Sequence, residues 1–136
     1  SAAVITFTNV LNANNGSGKI VKSTFLDSAN QATKAQIDLF LFHTAPAIDA
    51  DNATFTPTDA ELANLVGIVR FATAVDGDLT SGAGGNAIYH GVNVTGQYET
   101  PITTKVASRS LYGVAVAQNT YTPIASEVFT FVLWVE

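Results

Sequence analysis

Short runs of β-type residues, each bounded by turn-forming residues, dominate this sequence and constrain its fold more than any other feature. Clusters of Asn, Gly and Ser at 14–18 and 81–86 are typical of turns and loops. Several short strands at this spacing are typical of a sandwich or a barrel. The sequence therefore predicts one all-β domain over 1–136, a β-barrel or jelly-roll-like sandwich. The predicted strands are 3–8, 19–27, 36–43, 67–73, 87–92, 109–118 and 127–135.

The last predicted strand, 127–135, is apolar on both of its faces. Such a strand is either central in its sheet or covered on its second face by another subunit. Its Trp134 is the only tryptophan of the chain, and it is interpreted as a core residue, an interface anchor or a sugar-stacking platform. The two faces carry Phe129, Phe131, Leu133 and Val135 on one side and Val128, Val132 and Trp134 on the other.

A single short helix is predicted over about 58–66. Thr58 and Glu61 have the spacing of a capping box, in which each side chain binds the main chain at the other position. Leu62, Leu65 and Val66 then form an apolar stripe, and Gly67 is a helix-ending residue. A helix of about two turns is not stable alone, so we expect it to plug a sheet edge or a barrel mouth.

The helix-start pattern has an echo near the C-terminus. Residues 52–57 and 119–123 both read as a turn followed by an aromatic residue, Thr and Pro. Each segment precedes a glutamate, Glu61 or Glu127, and then a strand. We interpret the two matches as similar corner chemistry on two loops, because one short match is weak evidence for a true repeat.

The charge content excludes several classes of partner. Charged residues make up 12% of the chain and the net charge is −5, whereas a soluble domain carries about 25% charged residues. The six cations are scattered, so binding to nucleic acid or to an anionic membrane is not expected. A surface rich in Thr, Ser, Asn and Ala suits contact with other protein, and a homo-oligomer is expected.

Neither catalysis nor a cofactor is expected from the histidines. His43 and His90 lie at or near the ends of predicted strands, and no local spacing supplies the three or four ligands of a zinc site. The chain has no cysteine, which excludes disulfides and thiolate metal sites. No residue pattern marks an activated nucleophile, so the protein is predicted not to be an enzyme.

Two acidic pairs resemble fragments of calcium-binding loops. They are Asp49 with Asp51 and Asp76 with Asp78. Neither has the Gly and Glu that an EF-hand loop needs at its sixth and twelfth positions. Acidic turn residues are the simpler interpretation, and the sequence leaves open whether either pair binds an ion.

Three segments resemble a known group of proteins. They read QIDLFLF at 36–42, DNATFTPTDAEL at 51–62 and LYGVAVA at 111–117, and they are followed by YTP at 121–123 and EVF at 127–129. In this order they resemble small virion structural proteins of tailed bacteriophages, of the capsid decoration or cement type. The resemblance implies a β-barrel or jelly-roll-like domain on the outer capsid surface of the virion. It also implies a homotrimer that binds assembled major capsid protein and stabilises the head.

Candidate interaction residues follow from this resemblance and from the apolar last strand. An N-terminal arm at 1–8, through Ala2, Ala3 and Val4, is predicted to add a strand to a neighbour's open sheet edge. Trp134 is the other candidate. Two alternatives stay open: a carbohydrate- or receptor-binding β-sandwich, which needs Tyr89, Tyr98 or Trp134 exposed on one face, and a tail or baseplate component.

Overall fold

The computed structural model describes residues 3–29, 31–50, 53–72, 74–76, 87–93, 96–105 and 107–136. They form ten strands and one short helix, α1 (Asp59–Leu62). The strands are β1 (Ile5–Phe7), β2 (Ser17–Asp27), β3 (Ile37–Phe42), β4 (Leu65–Phe71), β5 (Ala74–Asp76), β6 (Ala87–His90), β7 (Val92–Asn93), β8 (Thr100–Thr103), β9 (Leu111–Ala117) and β10 (Phe129–Val135).

The strands form two antiparallel sheets that pack as a sandwich. Sheet A has the order β1-β9-β3-β4-β7, and sheet B has the order β10-β2-β6-β5, with β8 also paired to β2. The all-β prediction and its sandwich alternative are confirmed. The barrel alternative is wrong, because β1 and β10 each pair with one strand in the described residues and the sheets do not close on each other.

All seven predicted strands are present, but the region 87–92 differs from its prediction. Gly91 divides it into β6, which lies in sheet B, and β7, which lies in sheet A. Two further strands were not predicted. β5 has three residues, and β8 reads Thr-Pro-Ile-Thr, so neither shows an apolar alternation.

Gly91 lies where the chain crosses from one sheet to the other. Its N–H donates to the Ser23 carbonyl at 2.9 Å. A Cβ at this position would lie 2.1 Å from Ser23 Oγ and 2.4 Å from Val69 Cγ1. The crossing therefore requires a residue without a side chain.

Gly91→Ala is expected to lower the free energy of unfolding by about 1–3 kcal/mol, because the added methyl overpacks a filled interior. Urea unfolding of the variant measures this loss. The double variant Ser23→Ala/Gly91→Ala removes the closest clashing atom, and it should recover part of the stability. A double variant no more stable than Gly91→Ala would contradict the clash at Ser23.

The core between the sheets centres on Phe25, which is fully buried. Its ring centroid lies 5.8 Å from that of Phe71, 4.9 Å from Tyr89, 5.2 Å from Phe129 and 5.0 Å from Phe131. Such pairs stabilise a core beyond their area alone. β2 therefore contributes the residue that joins sheet A to both neighbours of β2 in sheet B.

The predicted capping box is confirmed, but the helix is shorter than predicted. Thr58 N–H donates to Glu61 Oε2 at 2.7 Å, and Glu61 N–H donates to Thr58 Oγ1 at 3.3 Å. The predicted helix end at Gly67 is wrong. Residues 65–67 belong to β4, because Gly67 pairs with Leu41 in the β3 ladder. None of the described helices is long enough to cross a membrane.

The helix does not plug a sheet edge or a barrel mouth as predicted, because none of its residues is buried and Leu62 is 42% exposed. The outer face of sheet A is instead covered by the β3–β4 connection. The Phe55 ring contacts Phe40 edge-on at 5.5 Å and lies 6.3 Å from the Phe42 ring. This cover keeps Phe42 fully buried on the outer side of its sheet.

A bidentate ion pair lies beside this cover. Arg70 Nε donates to Asp38 Oδ1 at 2.9 Å, and the second guanidinium nitrogen donates to Oδ2 at 2.8 Å. The two residues face each other across β3 and β4. Asp38 is buried and Arg70 is half exposed, and the hydrogen bonds to Asp38 raise the pKa of Arg70.

Arg70→Ala is expected to cost about 1–3 kcal/mol of stability, because it leaves the buried Asp38 carboxylate without its donor. Thermal unfolding measures the loss. Lys19→Ala is the matched control, since it breaks the exposed pair with Glu99 at 3.2 Å, and it should cost less than about 1 kcal/mol. Equal losses in the two variants would contradict the assigned role of burial.

Candidate interaction surface

Strand β10 lies at the edge of sheet B although it is apolar on both faces. In the described residues it pairs with β2 and with no other strand. The sequence allowed either a central strand or one covered by another subunit, and the central placement is wrong. The predicted alternation is confirmed, because Phe129, Phe131, Leu133 and Val135 pack against the core.

Along the free edge of β10, the main-chain N–H and C=O groups point away from β2 at every second residue. Ser28 N–H donates to the Val128 carbonyl at 3.0 Å, and Lys19 and Glu136 exchange two main-chain bonds of 2.9 Å. Since bonded and non-bonded positions alternate in an antiparallel ladder, every second residue between these ends points its N–H and C=O away from β2. These residues are Phe129, Phe131, Leu133 and Val135.

The core-facing side chains of β10 are only half-buried, in contrast to their neighbours on β2. Phe25 is 0% exposed, yet Phe131, which lies opposite it in the ladder, keeps an intermediate exposure. Phe129, Leu133 and Val135 have the same intermediate exposure. The core is therefore open along this edge.

The outer side of sheet B carries what we term the apolar face, defined as Leu26, Ile88, Val132 and Trp134. Leu26, Ile88 and Val132 are half-buried, and Trp134 is 42% exposed. Lys22 Nζ lies 4.5 Å from the centroid of the Trp134 ring, which is a cation–π contact. Lys22 is the charged residue that contacts the apolar face; Lys19, further along β2, is paired with Glu99.

Two further apolar side chains border the apolar face. Val128, immediately before β10, is 57% exposed, and Ile124 in the preceding loop is 54% exposed. Sheet B therefore exposes a mainly apolar surface that continues from its outer face to its β10 edge, whereas on sheet A the Phe55 ring covers Phe40 and Phe42. A surface of this kind, depleted in charge, is typical of the centre of a protein–protein interface.

The predicted interaction residues lie in separate places. Trp134 lies on the apolar face. Ala3 is exposed and Val4 half-buried ahead of β1, while Ala2 lies outside the described residues. Residues 5–7 of the predicted arm pair with β9 of the same chain.

The aromatic residues considered for sugar binding do not share one face. Tyr89 is fully buried in the core, so it is not available to a ligand. Tyr98 is 60% exposed, in the segment between β7 and β8. Trp134 is largely exposed but lies under the Lys22 ammonium.

The predicted histidine and aspartate candidates do not form a site in the described part of the chain. Burial and the nearby Lys105 lower the pKa of His43, and His90 is exposed. Asp49 accepts hydrogen bonds from Thr56, at 2.8 Å to its N–H, which is the turn role expected of it. No three His, Asp or Glu residues among those described are placed to hold a metal ion.

The structure does not describe the side chains of the other three aspartates in the two acidic pairs. Asp51 and Asp78 lie outside the described residues, and Asp76 is described by its position in β5 only.

A buried carboxyl cluster, which the sequence did not predict, joins the end of β2 to the start of β10. We define it as Asp27, Gln31, Tyr121 and Glu127. Tyr121 Oη lies 3.2 Å from Asp27 Oδ2 and hydrogen-bonds to Glu127 Oε1. Gln31 Nε2 donates to Tyr121 Oη at 2.7 Å and to Glu127 Oε2 at 3.1 Å. Asp27 is 1% exposed.

The cluster raises the pKa of Asp27. Burial and the hydrogen bond to Glu127 raise the pKa of Asp27 to about 6, against the opposing effect of the Ala29 N–H, which donates to Oδ1 at 2.9 Å. Burial acts to raise the pKa of Glu127, but hydrogen bonds from Asp27 and Tyr121 outweigh it and lower that pKa. The two carboxyl groups therefore share one proton, with Asp27 as the acid.

The similarity between residues 52–57 and 119–123 is confirmed, because both loops form the same main-chain hydrogen bond to the glutamate that follows. Ile124 N–H donates to Glu127 Oε2 at 2.7 Å, as Thr58 N–H does to Glu61 Oε2 at 2.7 Å. In both loops the donor is the residue that follows Pro. The first corner starts α1, while the second fixes the approach to β10.

Comparisons of the chain with protein-family models, with curated proteins and with solved structures return no match.

Proposed function

We propose that the protein is a non-enzymatic capsid decoration protein of a tailed bacteriophage, which binds assembled major capsid protein through the apolar face. The sequence resemblance at 36–42, 51–62 and 111–117 supports the class of protein. The low charge content and the open outer side of sheet B support a permanent contact with other protein. The proposed location is the outer surface of the capsid.

The apolar face carries this proposal. It combines half-buried Leu26, Ile88 and Val132 with the exposed Trp134 ring, beside the one contacting charge of Lys22. Tryptophan is among the residues that contribute most to binding when a partner buries them. A surface of this composition gains free energy when another protein removes it from water.

Binding of this kind stabilises a shell through linkage. A protein that binds only the assembled state raises the free energy needed to open that state. Burial of the apolar face against the capsid is sufficient to stabilise the shell, and this mechanism needs no catalytic group. The resemblance implies that the bound form is a trimer, which remains part of the proposal.

Co-sedimentation tests the proposal. Purified protein is mixed with assembled shells that lack it and, separately, with unassembled major capsid protein. We expect binding to shells only. Binding to neither preparation would overturn the capsid-surface proposal and favour the carbohydrate-binding and the tail or baseplate alternatives.

Two variants assign the contact to the apolar face. Ile88→Lys places a charge at the centre of sheet B, two strands away from the β10 edge, and it should abolish co-sedimentation. Tyr98→Lys is the matched control at a more exposed aromatic residue, and it should bind as the wild type does. Circular dichroism confirms that both variants are folded. Undiminished shell binding by folded Ile88→Lys would show that another face makes the contact.

A further inference from the structure

We infer that two copies of this chain associate edge to edge, by antiparallel pairing of their β10 strands about a two-fold axis at Val132. The inference goes beyond the proposed function and does not depend on it, because it concerns the free protein in solution, whereas the proposed trimer is the form bound to the capsid. The contact uses the main-chain edge of β10, while capsid binding uses the outer side of sheet B; Val132 belongs to both. The occupant of the edge is a second copy of the same strand.

The free main-chain groups of β10 have a spacing that allows the strand to pair with a second copy of itself. The outward-pointing residues 129, 131, 133 and 135 are evenly spaced and symmetric about Val132. In this register Phe129 lies opposite Val135 of the second copy, and Phe131 lies opposite Leu133. All four outward-pointing residues of each strand then find partners, giving about eight main-chain hydrogen bonds. A register shifted by two residues leaves at least one of them unpaired.

The β10 edge also lacks the features that keep the edge strands of monomeric sheets from pairing with other chains. Edge strands are usually blunted by lysine, proline, short length or a bulge. Residues 128–135 contain neither a charge nor a proline. Strand β10 has seven residues, and its one irregularity lies at its far end, between Trp134 and Val135.

Core-facing side chains along the β10 edge are also partly exposed. The core-facing Phe131 and Leu133 are half-buried because no strand lies beyond them in the described structure. In the proposed pair, each covers its counterpart on the second copy and closes the open core. On the outer side, Val132 meets Val132 and Thr130 meets Trp134.

The composition of the strand identifies a second copy as the occupant. A two-fold contact requires a surface that is complementary to itself, and β10 places apolar residues opposite apolar residues. The nearest charged residue, Glu136, lies opposite Val128 of the second copy, so the register sets no carboxylate against another. The ten strands of two B sheets would form one continuous sheet with a doubled apolar face.

Cysteine cross-linking tests the register directly. The chain has no cysteine, so Val132→Cys introduces a single thiol on the two-fold axis. Opposed residues at a non-hydrogen-bonded position are about 4.5 Å apart between Cα atoms, a distance that a disulfide spans. We expect mild oxidation to give a covalent dimer that a reductant reverses.

Val128→Cys is the matched control for the cross-link. Val128 is more exposed than Val132, but in this register it faces Glu136 rather than itself. Val128→Cys should therefore remain uncross-linked under the same conditions. Equal cross-linking of the two variants, or none at Val132→Cys, would overturn the inference.

Charge variants test the contact without a covalent bond. Val132→Lys and Val132→Glu each place like charges together on the axis, and each should weaken dimerisation by about tenfold or more. A mixture of the two should restore a heterodimer. Sedimentation velocity reports the masses, with the wild type expected as a dimer at high concentration.

A wild type that stays monomeric, or a trimer unaffected by Val132→Lys, would overturn the edge contact. The capsid proposal is tested separately by Ile88→Lys, which should leave dimerisation unchanged. Val132 also belongs to the apolar face, so its variants are assessed by dimer mass and not by shell binding. Intact shell binding by Ile88→Lys would act against the capsid proposal's face alone, and an intact dimer in Val132→Lys would act against the edge contact alone. Circular dichroism again excludes unfolding as the cause of a loss of shell binding or of the dimer.

Discussion

Replacing Phe25 with alanine is expected to lower the free energy of unfolding by about 3–5 kcal/mol. The Phe25 ring is fully buried and contacts four other aromatic rings, two on β10, one on β6 and one across the sandwich on β4. The cavity would lie at the point where β2, β6, β10 and sheet A meet. Backbone atoms of two packed sheets surround it, so the site has little freedom to collapse.

Guanidinium unfolding of Phe25→Ala measures the loss. Phe55→Ala is the matched control, because Phe55 also contacts two rings but is half-buried outside sheet A. The control should lose less than half as much stability. If the two variants lost equal stability, the aromatic cluster around Phe25 would not be the main stabilising contact between the sheets.

The stability of the protein is expected to fall by about 3 kcal/mol as the pH rises from about 4 to about 6. The pKa of Asp27 rises from 3.8 in the unfolded chain to about 6 in the fold. Between these values the native state binds more protons than the unfolded state, so raising the pH favours unfolding. The stabilising contribution of Asp27 is fully present below its unfolded pKa of 3.8 and is lost above its folded pKa of about 6.

Glu127 acts in the opposite sense on the acid side. Its pKa is lowered in the fold, so its contribution is present above its unfolded value of 4.5 and is lost as the pH falls through the lowered value. The two effects together place the stability maximum between about pH 4 and pH 5. Burial raises the pKa of Tyr89 to about 12, and the pKa of Tyr121 is also raised, so neither phenol titrates in this window.

Asp27→Asn tests this assignment. The amide keeps an acceptor for the Ala29 N–H and a donor for Glu127 but cannot titrate. Chemical unfolding at several pH values should show the decline between pH 4 and pH 6 in the wild type and not in the variant. Glu99→Gln removes an exposed carboxylate and should retain the decline. A decline that persists in Asp27→Asn would assign it to other groups.

Alternation and capping were readable from the sequence because they depend on neighbours along the chain. The alternation along β10 and the Thr58–Glu61 capping box are local, and the structure confirms each. The helix was predicted too long because Leu65 and Val66 fit a helical stripe equally well. Tertiary pairing of Gly67 with Leu41 decided the matter in favour of β4.

The carboxyl cluster was not predicted because its members are distant in the sequence. Tyr121 and Asp27 are 94 residues apart, and no spacing rule connects them. One signal did point to the region, since the echo singled out Glu127 as a corner residue. The position of β10 at an edge also depends on strand order, which periodicity does not encode.

The pairing of β2 with β10 has a consequence for how the chain acquires its fold. Ser28 and Val128, at one end of this ladder, are 100 residues apart, so the ladder closes one of the longest loops the chain can form. Contacts of such separation slow folding. During synthesis, β10 is made about 100 residues after β2, and until then Phe25 lacks two of its four aromatic neighbours. Rapid completion of the sandwich therefore depends on the C-terminal residues, and a chain truncated before 128 should populate a partly folded, aggregation-prone state.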